Sequence, residues 1–435
     1  MDGINFITGT FGIKTAMRLK AVCVAPFVAC MLCVAPSFAQ IQDKDIHSVQ
    51  CFVGDNELSD PIMEFRGKEH ITLWFDDFNE ARGYLHYTLV HCDADWNEDG
   101  LFFSDYMDGF VENPLRDYAL SFQTQTNYIY YRLQIPNEDV QLKASGNYLI
   151  KIYERDPEKP VLTQRFSVYE KAVTVKLNTR GPMLTGESCL QQLEFSVRHP
   201  ALSVRDAYKE LKVRVTQNGV ALPGVENPSP SFIEQHEVSY TLATKNWYPG
   251  GNEYRIFDVR TLDFGAQGVR QVRYDELGVP YALLNVDTPR EHKPYTFIND
   301  LNGKYRVEAN RRTNRHTEAE YVMAGFTLDS EEFQDAGVFV FGQLSNFALR
   351  PEFAMTYNVD AGAYELNVPV KQAYYNYRYV LVPHHKPPDW NAVEGCFAEA
   401  ENYYTVLVYY RSFRDRYDRL VGIHSVNTLQ AGSAK

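Results

Sequence analysis

Most of what an enzyme displays is missing from this chain. It has no GxSxG elbow, no Walker loop and no GxGxxG after a strand, which leaves out the familiar hydrolase, NTPase and dinucleotide layouts. No HExxH occurs, and the four cysteines beyond residue 39 form no CxxC pair, which argues against an ordinary zinc site. No stretch of about 12 residues keeps a clean 3.6-residue apolar period, and no short-period repeat is found, which argues against helical layers, propellers and solenoids. Basic excess is absent as well. Lys and Arg number 43 against 56 Asp and Glu, a net charge of −13 that argues against nucleic acid and anionic lipid as partners.

The first 39 residues read as an export signal. Lys14, Arg18 and Lys20 give a positive start, Ala21 to Pro36 form the apolar core, and Ser37-Phe38-Ala39 suits cleavage before Gln40. The alternative is a membrane anchor, but the core is short and holds prolines, so no direct membrane span is expected. Met17 is a second plausible start. Removing residues 1–39, which carry Lys14, Arg18 and Lys20 against Asp2, takes the net charge from −13 to −15. Cys51, Cys92, Cys189 and Cys396 remain in the mature chain. They allow three pairings, and buried thiols or one disulfide are both open readings.

Aromatic residues are abundant, with 30 Tyr and 26 Phe, and they fall in short runs with period-two alternation. Leu85, Tyr87 and Leu89 share a face; so do Ile129, Tyr131, Leu133 and Ile135, and Tyr148, Ile150 and Ile152. Such spacing puts side chains on one side of a strand. Asn218-Gly219 suits a type I′ turn, which needs positive φ at both central residues. Frequent turn signals between short strands predict an all-β chain of three tandem immunoglobulin-like sandwiches after a cleaved signal peptide. The expected bounds are 40–171, 172–290 and 291–430. One joint follows Arg165–Glu170, and the other falls in the charged, proline-bearing stretch 287–294.

Several clusters are candidates for chemistry. Asp93, Asp95, Asn97 and Asp99 have the alternating oxygens of a calcium loop, but Glu98 and Ser104 stand where an EF-hand needs Gly and Glu. They are weak metal candidates beside the plain reading of a polar loop. His91 and Cys92 are strand neighbours facing opposite ways, so they cannot serve one site. Arg306, Arg311, Arg312, Arg315 and His316 form a basic cluster, either a solvated loop or a contact for an acidic partner. Tyr374, Tyr375, Tyr377 and Tyr379, with Trp390 nearby, offer a sugar-stacking face or a tyrosine-filled core. No cofactor and no catalytic residue is expected; the chain reads as a non-enzyme.

Taken in order, these residues resemble the plug protein family of the type IX secretion system of Bacteroidota. The resemblance rests on Tyr87, His91-Cys-Asp-Ala-Asp-Trp96, Tyr106, Gly109-Phe110, Asp117-Tyr118, Ile135-Pro-Asn137 and Gly146-Asn-Tyr148 in the first third. It continues through Gly250-Gly-Asn-Glu-Tyr-Arg-Ile-Phe-Asp258, Val338 to Phe347, Tyr374 to Tyr377, Glu394-Gly395, Val408 to Arg411 and Arg416 to Leu420. It implies a periplasmic protein on the inner face of the outer membrane, docked on the large β-barrel translocon and sealing its opening. His91, Asp95, Trp96, Tyr106 and Tyr118 are then motif residues that lock the first sandwich. Arg311, Arg312, Arg315, Tyr375 and Trp390 are the candidate contacts to a partner or a sugar. The last segment is also similar to early-set sandwiches that accompany starch-binding modules, the basis of an alternative carbohydrate-binding role. Phe347 stands where family members often carry Trp, which weakens that alternative.

Overall fold

The computed structural model describes residues 40–180, 189–221, 227–241, 246–262, 266–309 and 314–431. Residues 1–39, read above as an export signal with cleavage expected after Ala39, lie outside them. The chain is all-β, and among the described residues α-helix is confined to three four-residue turns. None of the described helices is long and apolar enough to cross a membrane.

The alternating runs form strands as their spacing predicts. His86–Cys92, Gly146–Tyr153 and Leu162–Tyr169 pair in one sheet, and Ile46–Val53, Ile71–Asp77 and Ile129–Ile135 in another. On the side of the first sheet stand Leu85, Tyr87, Leu89, Tyr148, Ile150 and Ile152. They meet Ile71, Leu73, Phe75, Ile129, Tyr131 and Leu133 of the second in a single core. Each face contributes every second residue, so the two sheets close over an apolar interior.

A second core belongs to Thr174–Arg180, Leu190–Arg198 and Glu237–Tyr240 on one side. The opposing sheet comprises Leu211–Gln217, Tyr403–Tyr410 and Arg419–Asn427. Asn218 and Gly219 do turn with φ of 55° and 78°, as a type I′ turn requires. The strand before them nevertheless pairs in full register with Tyr403–Tyr410, from Leu211 opposite Tyr410 to Gln217 opposite Tyr404.

The third core lies between these two parts of the chain. Arg255–Asp258, Tyr305–Val307, Ala336–Phe341 and Ala373–Pro383 form one layer; Val269–Tyr274, Pro280–Asp287, Tyr321–Asp329, Ala363–Lys371 and Thr356–Asn358 form the other. This corrects the joint placed at 287–294 and the bounds 172–290 and 291–430. Pro280–Asp287 pairs in parallel with Tyr321–Asp329, so the two prolines mark a crossover within one sandwich. The residues after about 400 return to the second sandwich because their alternate apolar positions fill its core.

Cys189 and Cys396 form a disulfide across the base of the inserted sandwich, while Cys51 and Cys92 are free and buried. It ties residues 207 apart in sequence, so its removal frees a long loop in the unfolded chain. Cys396→Ser should lower stability by about 3 kcal/mol, seen as a fall in thermal midpoint that dithiothreitol reproduces in the wild type. Equal midpoints for oxidised, reduced and variant protein would remove the bond from the stability account.

Candidate functional site

Buried polar groups mark three seams, one between each pair of sandwiches, and some of the residues singled out in the sequence lie beside them.

The seam between the first and inserted sandwiches centres on Asp76 near the end of Ile71–Asp77. Its Oδ2 accepts from Lys371 Nζ at 2.8 Å and from Tyr321 Oη at 2.6 Å. Tyr321 Oη also bonds Ser48 Oγ at 2.6 Å. Lys371 donates to the His316 carbonyl and lies 4.2 Å from the Tyr128 ring centroid. Asp76 and Lys371 are 1 % and 2 % exposed. Burial pushes the Asp76 carboxyl up and the Lys371 ammonium down, each opposed by its partner. Phe52, Trp74, Tyr128, Tyr130 and Tyr321 pack around the pair.

Arg315 and His316 belong to this seam. Arg315 pairs with Glu57 and lies over the Trp74 ring, while His316 stacks on Tyr130 at 4.9 Å. Burial, with Arg315 and Lys371 nearby, lowers the imidazole to about 3, so the ring is neutral. The basic cluster is therefore divided. Arg306 is exposed, Arg315 and His316 face the first sandwich, and Arg311 and Arg312 lie outside the described residues.

The aromatic run is core. Tyr375 is 2 % exposed, stacks on Phe257 at 4.8 Å and donates to the Lys371 carbonyl. Tyr377 and Tyr379 donate to Asp287. Trp390 turns its ring against Phe341 at 4.8 Å. Tyr375 is thus closed to a sugar and the pair forms no stacking platform, which corrects the sugar-contact expectation. Nearby Glu394 is fully buried. Burial alone would raise its carboxyl, but Arg255 and Arg290 draw it down to about 2.

The motif of the first sandwich divides likewise. His91 is buried between Asp99 Oδ2, 2.5 Å from Nδ1, and the Ser145 carbonyl, 3.0 Å from Nε2. A Cβ at Gly146, where φ is +129°, would sit 2.6 Å from His91 Nε2, so glycine is required there. Tyr106 Oη donates to the Leu89 carbonyl. Trp96, in the left-handed region at φ 66°, holds the Arg165 guanidinium 4.8 Å from its ring. Asp95 reaches out of the first sandwich to pair with Arg214 of the second. Tyr118 differs from the expected buried lock: it is 51 % exposed on an edge strand, with its ring tilted against Tyr131.

The calcium-loop oxygens do not converge. Asp93 Oδ1 accepts from the Asp95 and Asn97 amides, Asp99 holds His91 and the Leu101 amide, and Asp95 holds Arg214. Each carboxylate is committed to the loop's own folding or to a seam.

Sequence reasoning did not find Asp76, Lys371 or Asp418. Asp418 is buried between the first and second sandwiches, accepting from Lys212 Nζ at 2.9 Å and the Ala94 amide at 3.0 Å. Beside it Tyr409 Oη donates to Asn147 Oδ1. The signal for the first two was an ionisable residue at the end of an apolar run, as in Ile71–Asp77 and Ala363–Lys371.

At the third seam Glu253, Asp300 and Glu401 bring carboxylate oxygens within 4.8 Å of one another. Burial raises all three, Asp300 to about 7.

Comparison with known proteins adds four findings. Residues 46–170 match the Type 9 secretion system plug protein 1st domain. A crystal structure of a hypothetical protein from Parabacteroides merdae superposes with a TM-score of 0.83 at 30% identity, covering 89% of this chain and 98% of that one. The C-terminal domain of the Streptococcus pyogenes antigen I/II-family protein AspA aligns over 87% of this chain and 98% of that one at 9% identity, but its TM-score of 0.15 carries no fold argument. No curated protein matches.

The seams can be tested by stability measurements. Lys371→Met leaves Asp76 buried without its cation and should cost about 3–5 kcal/mol, whereas Asp76→Asn with Lys371→Met should cost less; chemical denaturation measures both. At the third seam, a carboxyl raised in the folded state stabilises fully below the unfolded value of about 4 and loses that contribution as pH climbs through about 7. Thermal midpoints should therefore fall between pH of about 5 and about 8, and Glu253→Gln should flatten that fall. A steeper fall in the variant would contradict this account of the buried carboxyls.

With the first sandwich matched and the whole architecture shared with a 30% identical relative, the chain belongs to the type IX secretion system plug protein family.

Proposed function

We propose that this protein is a periplasmic plug subunit that docks on the outer-membrane β-barrel translocon of the type IX secretion system and closes its periplasmic opening by steric occlusion. The observation that carries the reading, beside the family, is the way the three sandwiches are joined. Each pair meets through buried ionic or polar groups as well as apolar contacts, with a disulfide at the third seam. A stopper needs stiffness because a pore wide enough for folded cargo leaks around any body that flexes. The buried partners supply it: separating Asp76 from Lys371, or Asp418 from Lys212, exposes charges that lose their fixed geometry.

Occlusion requires no bond making. The reading gives His91 and Tyr106 the work of holding the first sandwich, and it assigns no residue a catalytic step. A standard interface of roughly 1,600 Å² would seat such a body.

Tagged protein extracted under mild detergent should bring down a very large outer-membrane barrel, and deletion of the gene should make cells leakier to large antibiotics. Recovery of the protein alone, together with unchanged permeability, would sink the proposal.

A further inference from the structure

The strands Tyr403–Tyr410 and Arg419–Asn427 form a hairpin whose connecting loop, residues 411–418, emerges where the first and second sandwiches meet. Its base is rigidly held. Asp418 is buried on Lys212 and the Ala94 amide, Tyr417 packs against His91 at 5.1 Å, and Arg419 pairs with Glu170 at 2.5 Å.

The tip is the opposite in character. Phe413 is 66 % exposed, and the guanidinium groups of Arg205 and Arg414 lie 4.8 Å and 5.1 Å from its ring centroid. Both arginines are exposed, and neither has an ion-pair partner among the described residues. Stacking occupies the flat face of a guanidinium and leaves its N–H edges free to grip carboxylates. In the same loop Arg416 lies over exposed Phe102 and bridges to Asp105. Tyr208, three residues from Arg205 in the chain, is 65 % exposed.

Exposed aromatics held by arginines are the composition of interface hot spots. Here they stand against the charge of the chain, which carries 56 acidic and 43 basic residues. Unpaired cations around an apolar ring complement a surface with carboxylates about an apolar pocket. The exposed edge at Tyr118, Leu120 and Phe122 is equally apolar, but among the described residues no comparable pair of stacked arginines marks it for a partner of either charge.

We propose that the loop 411–418, with Arg205, is a docking element for an acidic protein surface on the periplasmic side of the translocon. The identity of that partner rests on the plug reading above; the chemistry of the surface rests on Phe413 and its two arginines. The rigid base lets the loop bind without the ordering cost of a free loop.

The test is binding of the full mature protein to the purified barrel translocon by biolayer interferometry, at low and high salt. The Arg205→Glu, Arg414→Glu double variant should bind at least about tenfold more weakly, and Phe413→Ser should weaken it too. Wild-type binding should fall with added salt, and a Leu120→Ser control on the exposed edge of the first sandwich should bind as wild type. Unchanged thermal midpoints confirm folding, since all the substituted side chains are exposed. Double-variant binding equal to wild type overturns the loop assignment and leaves the plug reading intact. Failure of the wild type to bind the barrel at all overturns both. Loop-dependent binding to phosphatidylglycerol vesicles in place of the barrel, or a loop-dependent dimer by light scattering, would replace the acidic protein partner with a lipid or a second copy.

Discussion

The C-terminal hairpin, Tyr403–Tyr410 with Arg419–Asn427, is the element on which the other parts depend, because its first strand is buried on both faces. Tyr404, Val406, Val408 and Tyr410 enter the core of the second sandwich. The alternate residues Leu407 and Tyr409, with Leu420, pack under Ala94 of the first. A strand has only two faces, and here each is committed to a different sandwich. A one-residue slip in register would exchange the two sets and damage both interiors together. The second sandwich is also incomplete until this hairpin arrives, since Leu211–Gln217 has its register partner in Tyr403–Tyr410.

That arrangement gives the inserted sandwich its place. Its chain leaves the second sandwich after Trp247–Pro249 and re-enters it near residue 400, so both ends are anchored at one spot. Gln191 donates to the carbonyls of Ala398 and Ala400, and the Cys189–Cys396 disulfide lies beside them. On its other side the inserted sandwich is fastened to the first by Asp76, Lys371 and Tyr321. A closed ring of three contacts results. Such a body suits the proposed occlusion, where function lies in shape and stiffness.

The buried ionic groups define geometry more than they add stability. Asp76 and Lys371 lose most of their hydration, and their attraction does little more than offset that loss. What they define is one arrangement: Tyr321, Ser48, Lys371 and the His316 carbonyl all meet in one network around the Asp76 carboxylate. Purely apolar seams would tolerate sliding. Glu394, held by Arg255 and Arg290, does the same within the inserted sandwich.

By itself the sequence determined whatever depends on neighbours along the chain. Period-two spacing placed Leu85, Tyr87 and Leu89 or Tyr148, Ile150 and Ile152 in a core, because strand geometry alone decides which residues share a face. Asn218-Gly219 declared its turn because both residues accept positive φ. The aromatic run 374–379 already allowed a tyrosine core, and the order of motifs carried the family. Tertiary structure decided what those faces meet. Nothing local in Leu211–Gln217 states that its partner is Tyr403–Tyr410, so tandem sandwiches were expected where one is inserted in another. The same gap hid the roles of Asp76, Lys371 and Asp418, and it left Arg315 and His316 looking like a loop cluster rather than part of a seam. Side-chain alternation is a property of the backbone, whereas pairing across hundreds of residues is chosen by the summed burial and hydrogen bonding of the whole fold.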